Sequence, residues 1–462
     1  MRVGSRVLMV MLLLTACASP IDSARVEPAT ATLHAAPTLA PLETPPVSAT
    51  ATPVITASRI FIGSWSPASD MLAYWTFTAE EVAVDYTYPP GTLHFLNART
   101  GQVCESPFQV GYGYFSNPIA WLPDGKVFIL TGDQVIQGAP CGDDFIPLTE
   151  LFPEPILSVA TSSPDHSLFL LNSQQRYWFY EPSTQSVRSI DESVGGARPG
   201  YSWSPNSSRL AISAALDAPG LEATTSVVDV ETGRIEDVIQ WRYRDAEGSF
   251  AGPTWLSEDQ FLIHETTDQG PLLVTLGQGA VQVVPELFGV SFVPTSTVSL
   301  RATAAVVTGT RTYHILLSGV GEVANFPPSR LYHSESGEVE ELPFKPESEF
   351  SPDGRSMIMS DSTEGAVRLR AVEPLGSEAR LLLTQSGNPL PLTWSPDGTK
   401  VAFSSPTGVP VFSSLDGDQG GFWETGGYST FPGPWSPDGK SLAVRGYLPD
   451  GRGEALFVIR VP

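Results

Sequence analysis

The side chains best suited to acid–base or metal chemistry are scattered along this sequence. No His-Glu-x-x-His or His-x-His spacing occurs, and no Gly-x-Ser-x-Gly element presents a serine nucleophile. The acidic loops at Gly142–Asp144 and Asp416–Asp418 supply too few oxygen ligands for a calcium loop. We therefore predict no catalytic residues, no metal site and no cofactor. The six histidines are His34, His94, His166, His264, His314 and His333.

One cysteine does lie in a reactive sequence context. Cys17 ends the segment Leu14-Thr15-Ala16-Cys17, which follows two arginines and the short apolar run Val7–Leu14. That run is too short to span a bilayer as a helix. The segment resembles the bacterial lipobox, which implies cleavage after residues 1–16, a lipoprotein signal peptide, and attachment of diacylglycerol to Cys17. The alternative is an ordinary signal peptide with an incidental cysteine.

Residues 17–56 are rich in proline, threonine and alanine and carry little charge. Such a segment cannot bury a core, and its prolines favour extended conformations. We predict a disordered linker here, with a globular domain over residues 57–462. The linker would lift that domain off the membrane surface.

The rest of the chain is organised around the sequence Trp-Ser-Pro-Asp-Gly. It is complete at Trp394–Gly398 and Trp435–Gly439, starting 41 residues apart, and each copy precedes a short apolar strand. From residue 57 onward glycine and proline recur frequently, with no convincing helical period. A repeat of about 40–45 residues built from short strands is typical of one propeller blade. Clear anchors fall at Trp65, Trp121, Ser162, Trp203, Trp255, Phe350, Trp394 and Trp435.

The residue types of the repeat explain its form. Proline presets φ and Asp-Gly supplies a tight turn, with glycine free to adopt positive φ, so the chain reverses between two strands. The large flat tryptophan ring can wedge between neighbouring blades. We therefore assign the anchor tryptophans to core packing rather than to ligand stacking.

These repeats resemble those of the TolB-type, WD40-like propeller family of bacterial exported proteins. The likeness runs from about Ala57 to the C-terminus; it is specific in the last two copies and weaker in the middle. It implies an all-β fold, a single propeller, and a scaffold role rather than a reaction, because this family hosts unrelated functions.

The anchors predict about eight four-stranded blades, with seven or nine left open. The 95 residues from Trp255 to Phe350 suggest two blades, one with a degenerate anchor at Val298. The last copy supplies only three strands. We therefore predict that a strand from the N-terminal side, within Val54–Ile62, closes the ring.

Two cysteines remain besides Cys17. Cys104 lies in the outer part of the first predicted blade and Cys141 in that of the second. In an oxidising compartment such a pair can form a disulfide between neighbouring outer strands. Two free buried thiols are the alternative.

The charge balance restricts the partners. The formal net charge is −24, so the surface repels phosphate backbones, and we predict no nucleic-acid partner. The simplest interpretation is that the negative charge keeps an exported protein soluble. We expect a monomer that contacts the membrane only through its lipid anchor.

Aromatic and arginine residues recur in the loops that gather at one end of such a ring. Their composition is that of recognition surfaces, although these aromatics could instead fold back to plug the channel mouth. Phe431 and the loop Tyr447–Glu454 lie at the same end. The candidate binding residues are Tyr112, Tyr114, Phe115, Arg198, Tyr201, Arg242, Tyr243 and Tyr428.

Three functions fit this sequence. The leading one is an extracytoplasmic, membrane-anchored scaffold, at the cell surface or in the periplasm, that binds a protein or peptide. The second is a carbohydrate-binding or carbohydrate-cleaving propeller, for which Asp85, Glu222, Asp245 and Glu247 lie in suitable loops without diagnostic spacing. The third is a structural spacer in a larger lipoprotein assembly.

Overall fold

Each described copy of the repeat motif folds as a strand, a tight turn and a second strand. In the computed structural model, the strand Leu392–Trp394 pairs antiparallel with Val401–Phe403 across the turn that contains Gly398 at φ +69°. The structure describes residues 48–77, 87–113, 118–131, 134–173, 176–190, 197–215, 222–242, 253–263, 272–277, 280–283, 299–306, 312–320, 329–336, 339–342, 347–363, 366–372, 380–386, 392–404, 408–412, 419–448 and 453–461.

The described residues are almost entirely strand and turn, with one short 3-10 helix at Thr149–Leu151 and no α-helix among them. All of them belong to the compact unit Thr44–Pro462. Two short N-terminal strands precede the first complete sheet: β1 Ser48–Thr50 and β2 Ile55–Ala57.

Seven sheets consist of four consecutive antiparallel strands each. The strands of blades 1 to 3 are β3 Arg59–Trp65, β4 Met71–Phe77, β5 Thr87–Asn97 and β6 Val103–Gly113; β7 Ile119–Trp121, β8 Val127–Leu130, β9 Val135–Gly138 and β10 Ile146–Pro147; β11 Ile156–Ser162, β12 Phe169–Ser173, β13 Tyr177–Glu181 and β14 Ser186–Ser189. Those of blades 4 and 5 are β15 Ala197–Trp203, β16 Arg209–Ala215, β17 Glu222–Asp229 and β18 Ile235–Arg242; β19 Thr254–Trp255, β20 Gln260–Ile263, β21 Leu272–Thr275 and β22 Ala280–Val283.

The remaining blades follow the same order. Blades 6 and 7 comprise β23 Ser299–Val306, β24 Tyr313–Val320, β25 Ser329–His333 and β26 Val339–Leu342; β27 Glu347–Phe350, β28 Met357–Thr363, β29 Ala366–Val372 and β30 Arg380–Ser386. Blades 8 and 9 comprise β31 Leu392–Trp394, β32 Val401–Phe403, β33 Gly408–Phe412 and β34 Gln419–Glu424; β35 Ser429–Trp435, β36 Ser441–Tyr447 and β37 Glu454–Arg460.

The two N-terminal strands complete the last two sheets. β2 pairs antiparallel with β37, placing Ile55 opposite Leu456, and so supplies the fourth strand of blade 9. This confirms the prediction of a closing strand from the N-terminal side, although it starts near the beginning of the expected segment. β1 pairs in parallel with β34 as a fifth strand of blade 8, with Ala49 opposite Trp423.

The described residues therefore form nine sheets, the upper limit of the range predicted from the anchors and one more than the favoured eight. Two boundaries need correction. The predicted linker, residues 17–56, extends too far: β1 Ser48–Thr50 and residues 55 and 56 of β2 lie within it, but they pair with the outer strands of blades 8 and 9. The anchor position of the degenerate repeat is also shifted. The first strand of blade 6 ends at Val306, opposite Tyr313, whereas the predicted anchor Val298 lies outside the described residues.

The anchor tryptophans join consecutive blades through their indole N–H groups. Trp121 Nε1 donates to the carbonyl of Ser64 at 2.9 Å, and Trp255 Nε1 donates to the carbonyl of Ser202 at 2.9 Å. In both cases the acceptor is the residue just before the anchor of the preceding blade. Trp65 Nε1 repeats this bond across the closing interface, to the carbonyl of Pro434 at 2.8 Å. The tryptophans therefore pack between blades, as predicted.

Candidate functional site

The two ends of the ring differ in what they carry. One end, here called the turn end, holds the Trp-Ser-Pro-Asp-Gly turns. The other, the loop end, holds the connections between second and third strands and the passages from one blade to the next. Because strands alternate in direction, residues at the start of a first strand and at the end of a fourth strand share the loop end.

The backbone topology brings several of the predicted binding residues to the loop end. Tyr112 lies near the end of β6, Arg242 ends β18, and Arg198 lies near the start of β15. Tyr428 directly precedes β35. The structure describes only the backbone of the first three. Tyr114, Phe115 and Tyr243 lie outside the described residues, as do the carboxylate candidates Asp85, Asp245 and Glu247.

Two of the candidate tyrosines contact the core. The Tyr201 hydroxyl lies 3.2 Å from that of Tyr177, and the two rings meet edge to face. Burial is the main cause of a raised Tyr201 pKa, and the neighbouring Tyr177 raises it as well. Tyr428 packs edge to face on Phe457 with ring centroids 5.4 Å apart. These contacts favour the packing alternative for Tyr201 and Tyr428, which are both less exposed, as a fraction of their surface, than Phe431.

An exposed aromatic cluster lies at the loop end of blade 9. Phe431 on β35 keeps 39% of its surface exposed, which is unusual for a phenylalanine in a sheet. Its ring meets that of Tyr447 edge to face at 5.2 Å, and the Arg445 guanidinium lies 5.0 Å from the centroid of the Tyr447 ring. Phe431 and Arg445 are direct cross-strand partners. We call these three residues the Phe431 cluster.

Charged groups surround the cluster where blade 9 meets blade 1. Glu454 is only 6% exposed, and its Oε2 accepts the backbone N–H of Ile60 at 2.7 Å. Burial is the main cause of a raised Tyr447 pKa; Arg445 lowers it, Glu454 raises it and Arg59 lowers it. The loop end therefore combines an exposed apolar ring, a phenol that stays protonated at neutral pH, and two cations.

The sequence alone indicated only part of this cluster. The repeat register predicts that Phe431 and the loop beginning at Tyr447 lie at the loop end, but it does not single out Arg445. The signal that could have found Arg445 is the strand register. The anchor Trp435 lies opposite Leu442, a bulge between Pro432 and Trp435 shifts the pairing by one residue, and Phe431 therefore lies opposite Arg445.

A disulfide joins the outer strand of blade 1 to the turn between the third and fourth strands of blade 2. A disulfide links Cys104 on β6 to Cys141, which follows β9, with their Cα atoms 5.8 Å apart. Of the two alternatives left open by the sequence, the structure contains the bonded one. The bond lies on the outer side of both sheets, where it supports neighbouring blades rather than the Phe431 cluster.

The described residues contain no helix long and apolar enough to cross a lipid bilayer. The same part of the chain holds no group of three or more histidine, cysteine, aspartate or glutamate side chains arranged to bind a metal ion.

Comparison with known proteins shows the class of fold. No protein-family model and no curated protein matches the chain. A crystal structure of a eukaryotic initiation factor is 12% identical with a TM-score of 0.50, over 83% of this chain and 90% of that chain. The C-terminal WD40 domain of Sif2 is 13% identical with a TM-score of 0.46, over 89% of this chain and 99% of that domain.

The β-propeller domain of Cps50 (Swd1) from Myceliophteria thermophila is 14% identical with a TM-score of 0.37, over 65% of this chain and 96% of that domain. At these identities the similarity concerns the fold alone. The chain is an all-β protein with a β-propeller fold.

Proposed function

We propose that this chain is an extracytoplasmic bacterial lipoprotein, held at a membrane by an acylated Cys17, whose propeller binds a protein or peptide at the loop end. The observation that carries the binding proposal is the exposure of Phe431 beside Tyr447 and Arg445. The anchor rests on the lipobox-like segment in the sequence.

The Phe431 cluster consists of the kinds of side chain that gain most from contact with a partner. Aromatic and arginine side chains dominate the binding energy of protein interfaces, because a flat ring loses little conformational entropy and an arginine forms several hydrogen bonds. Covering the exposed part of Phe431 would contribute on the order of 1 kcal/mol from apolar burial alone. The paired Tyr447 and Arg445 hold that ring in place before binding.

The charge of the cluster indicates the chemistry of the partner. Arg445 is a cation on a chain with a net charge of −24, and the same end of the ring carries Arg59. An extended segment with an apolar residue beside a carboxylate would satisfy both the Phe431 ring and a guanidinium. We therefore expect the loop end to recognise an apolar, acidic peptide segment.

Photo-crosslinking on intact cells tests the binding proposal. A photoreactive phenylalanine analogue is placed at Phe431, with Ile146 as the matched control, because Ile146 is 54% exposed but lies on the outer edge strand of blade 2. We expect a discrete protein adduct from position 431 only. Equal adducts at both positions, or a glycan adduct in place of protein, would contradict it.

Metabolic labelling with palmitate tests the anchor separately. We expect the wild-type chain and the double variant Cys104→Ala/Cys141→Ala to carry label and to sediment with membranes. Cys17→Ala should lose the label and leave the membrane fraction. An unlabelled wild-type chain would contradict the anchor without affecting the binding proposal.

A further inference from the structure

A pair of histidines faces each other at the turn end of blade 6, away from the Phe431 cluster. His314 near the start of β24 and His333 at the end of β25 are direct cross-strand partners. Their Nδ1 atoms are 3.0 Å apart, and the rings meet nearly at right angles with centroids separated by 4.9 Å. Sequence spacing gave no hint of this, because the two residues lie on different strands.

The backbone around the pair is held by reciprocal hydrogen bonds. The N–H of Tyr313 donates to Ser334 Oγ at 2.7 Å, and the N–H of Ser334 donates to the carbonyl of Tyr313 at 3.0 Å. These bonds fix the two strands beside the histidines. The ring positions are therefore set by the sheet rather than by a mobile loop.

The separation of the two nitrogens matches that of two ligands of one metal ion. Imidazole nitrogens lie about 2.0–2.1 Å from zinc, so two of them at adjacent coordination positions are roughly 3 Å apart. Glu340 Oε2 lies 3.7 Å from His333 Nε2. A carboxylate beside the second ring nitrogen is the usual partner of a metal-binding histidine, since it keeps the proton there and leaves Nδ1 free.

We propose that His314 and His333 form a two-imidazole site for a late first-row divalent ion, Cu²⁺, Ni²⁺ or Zn²⁺, with water completing the coordination. Imidazole suits these ions, and the acidic surface concentrates cations. His314 is buried and His333 keeps 16% of its side chain exposed, so water reaches the pair from the His333 side.

The proton balance of binding is simple. Without metal, one ring donates its Nδ1–H to the Nδ1 of the other; because Glu340 favours the proton on Nε2 of His333, the donor is His314. Metal binding requires both Nδ1 lone pairs. The His314 proton then moves to Nε2 of the same ring through solvent, so both rings remain neutral and no net proton is released.

Titration of the full chain with Cu²⁺ tests the site, using protein purified in detergent without a histidine tag. We expect one tightly bound ion per chain and an electron paramagnetic resonance spectrum with coupling to two imidazole nitrogens. His314→Asn and His333→Asn should each weaken binding at least tenfold. The control is His166→Asn, because His166 belongs to a turn of blade 3, and Asn tolerates its φ of +57°.

Thermal melting keeps the test decisive if a variant folds poorly. Zn²⁺ should raise the melting temperature of the wild type and of His166→Asn, because an ion that binds only the native state stabilises it. It should not raise that of His333→Asn, whose ring is the more exposed of the two. Unchanged Cu²⁺ affinity in both pair variants, or a wild-type spectrum without two imidazole nitrogens, would overturn the proposal.

Discussion

A buried serine organises each well-formed turn of the ring. Ser395, which is fully buried, donates from Oγ to Asp397 Oδ1 at 2.5 Å and accepts the N–H of Lys400 at 2.8 Å. Ser436 makes the same two contacts, with Asp438 and with the N–H of Ser441. The serine of the motif is therefore a structural residue that satisfies groups left unpaired by the turn.

Removing that hydroxyl should measurably destabilise the protein. We expect Ser395→Ala to lower the free energy of unfolding by about 1–3 kcal/mol, because the partly buried N–H of Lys400 and the Asp397 carboxylate both lose a partner. Ser429→Ala is the control: Ser429 is exposed on β35 and should change stability by less than about 0.5 kcal/mol. Denaturant unfolding measures both, and equal effects would contradict the assigned role.

The turn aspartates should make stability dependent on acid. At Asp397 and Asp438 burial raises the pKa of the carboxyl group. The serine hydroxyl, a backbone N–H and a nearby lysine together lower that pKa by more than burial raises it, so the net shift is downward. The folded pKa then lies below that of the unfolded chain. The stabilisation is present above pH of about 4 and is lost as pH falls through the folded pKa.

We therefore expect the melting temperature to decrease as the pH drops below about 4, and to decrease less steeply in the double variant Asp397→Asn/Asp438→Asn. Asparagine preserves the turn, because Asn206 already accepts the Ser204 hydroxyl at 2.9 Å in blade 4. Glu335→Gln serves as the control outside these turns. A double variant with the same acid profile as the wild type would contradict the prediction.

At the scale of the element, the hydrogen bond from an anchor tryptophan's indole N–H to a backbone carbonyl of the preceding blade links neighbouring sheets. Trp121 donates to blade 1, whereas within the described residues the buried Nε1 of Trp203 has no hydrogen-bond partner. The anchor before Trp203 is Ser162, so this interface departs from the pattern. The two tryptophans are thus similar in burial and different in hydrogen bonding.

This difference predicts unequal effects of the same substitution. Trp121→Phe should cost about 0.5–1.5 kcal/mol more than Trp203→Phe, because both lose ring area but only the first loses a hydrogen bond. Chemical denaturation of the two variants measures the difference. If Trp203→Phe proves the more destabilising, the indole bonds do not hold the blades together.

The repeat motif was enough to predict the blades that retain it, and it was insufficient where the local signal is absent. In blade 6 no tryptophan and no Pro-Asp-Gly turn marks the hairpin, so the anchor was placed at Val298 although β23 ends at Val306. β1 lies in a tract whose composition favours disorder, and its pairing depends on the edge of β34. The histidine pair depends on cross-strand register in the same way.

At the scale of the whole molecule, the first and last parts of the described chain pack together. β2 covers the outer edge of β37, and Arg460 Nη2 donates to the carbonyls of Ala98 and Arg99 in blade 1, both at 2.9 Å. An apolar cluster including Ile60, Leu72 and Leu456 is buried between the first and last blades.

Closure of the ring by the N-terminal strand is the central claim about the fold, because it brings blade 9, which carries the Phe431 cluster, against blade 1; an engineered cross-link tests it most directly. Thr56 and Ala455 are cross-strand partners in β2 and β37. We expect Thr56→Cys/Ala455→Cys to form a disulfide quantitatively, as seen by mass spectrometry of peptides. Thr56→Cys/Ser186→Cys, which pairs β2 with the outer strand of blade 3, should not. A failure of the first pair to cross-link, or equal yields from both, would contradict a closed nine-bladed ring.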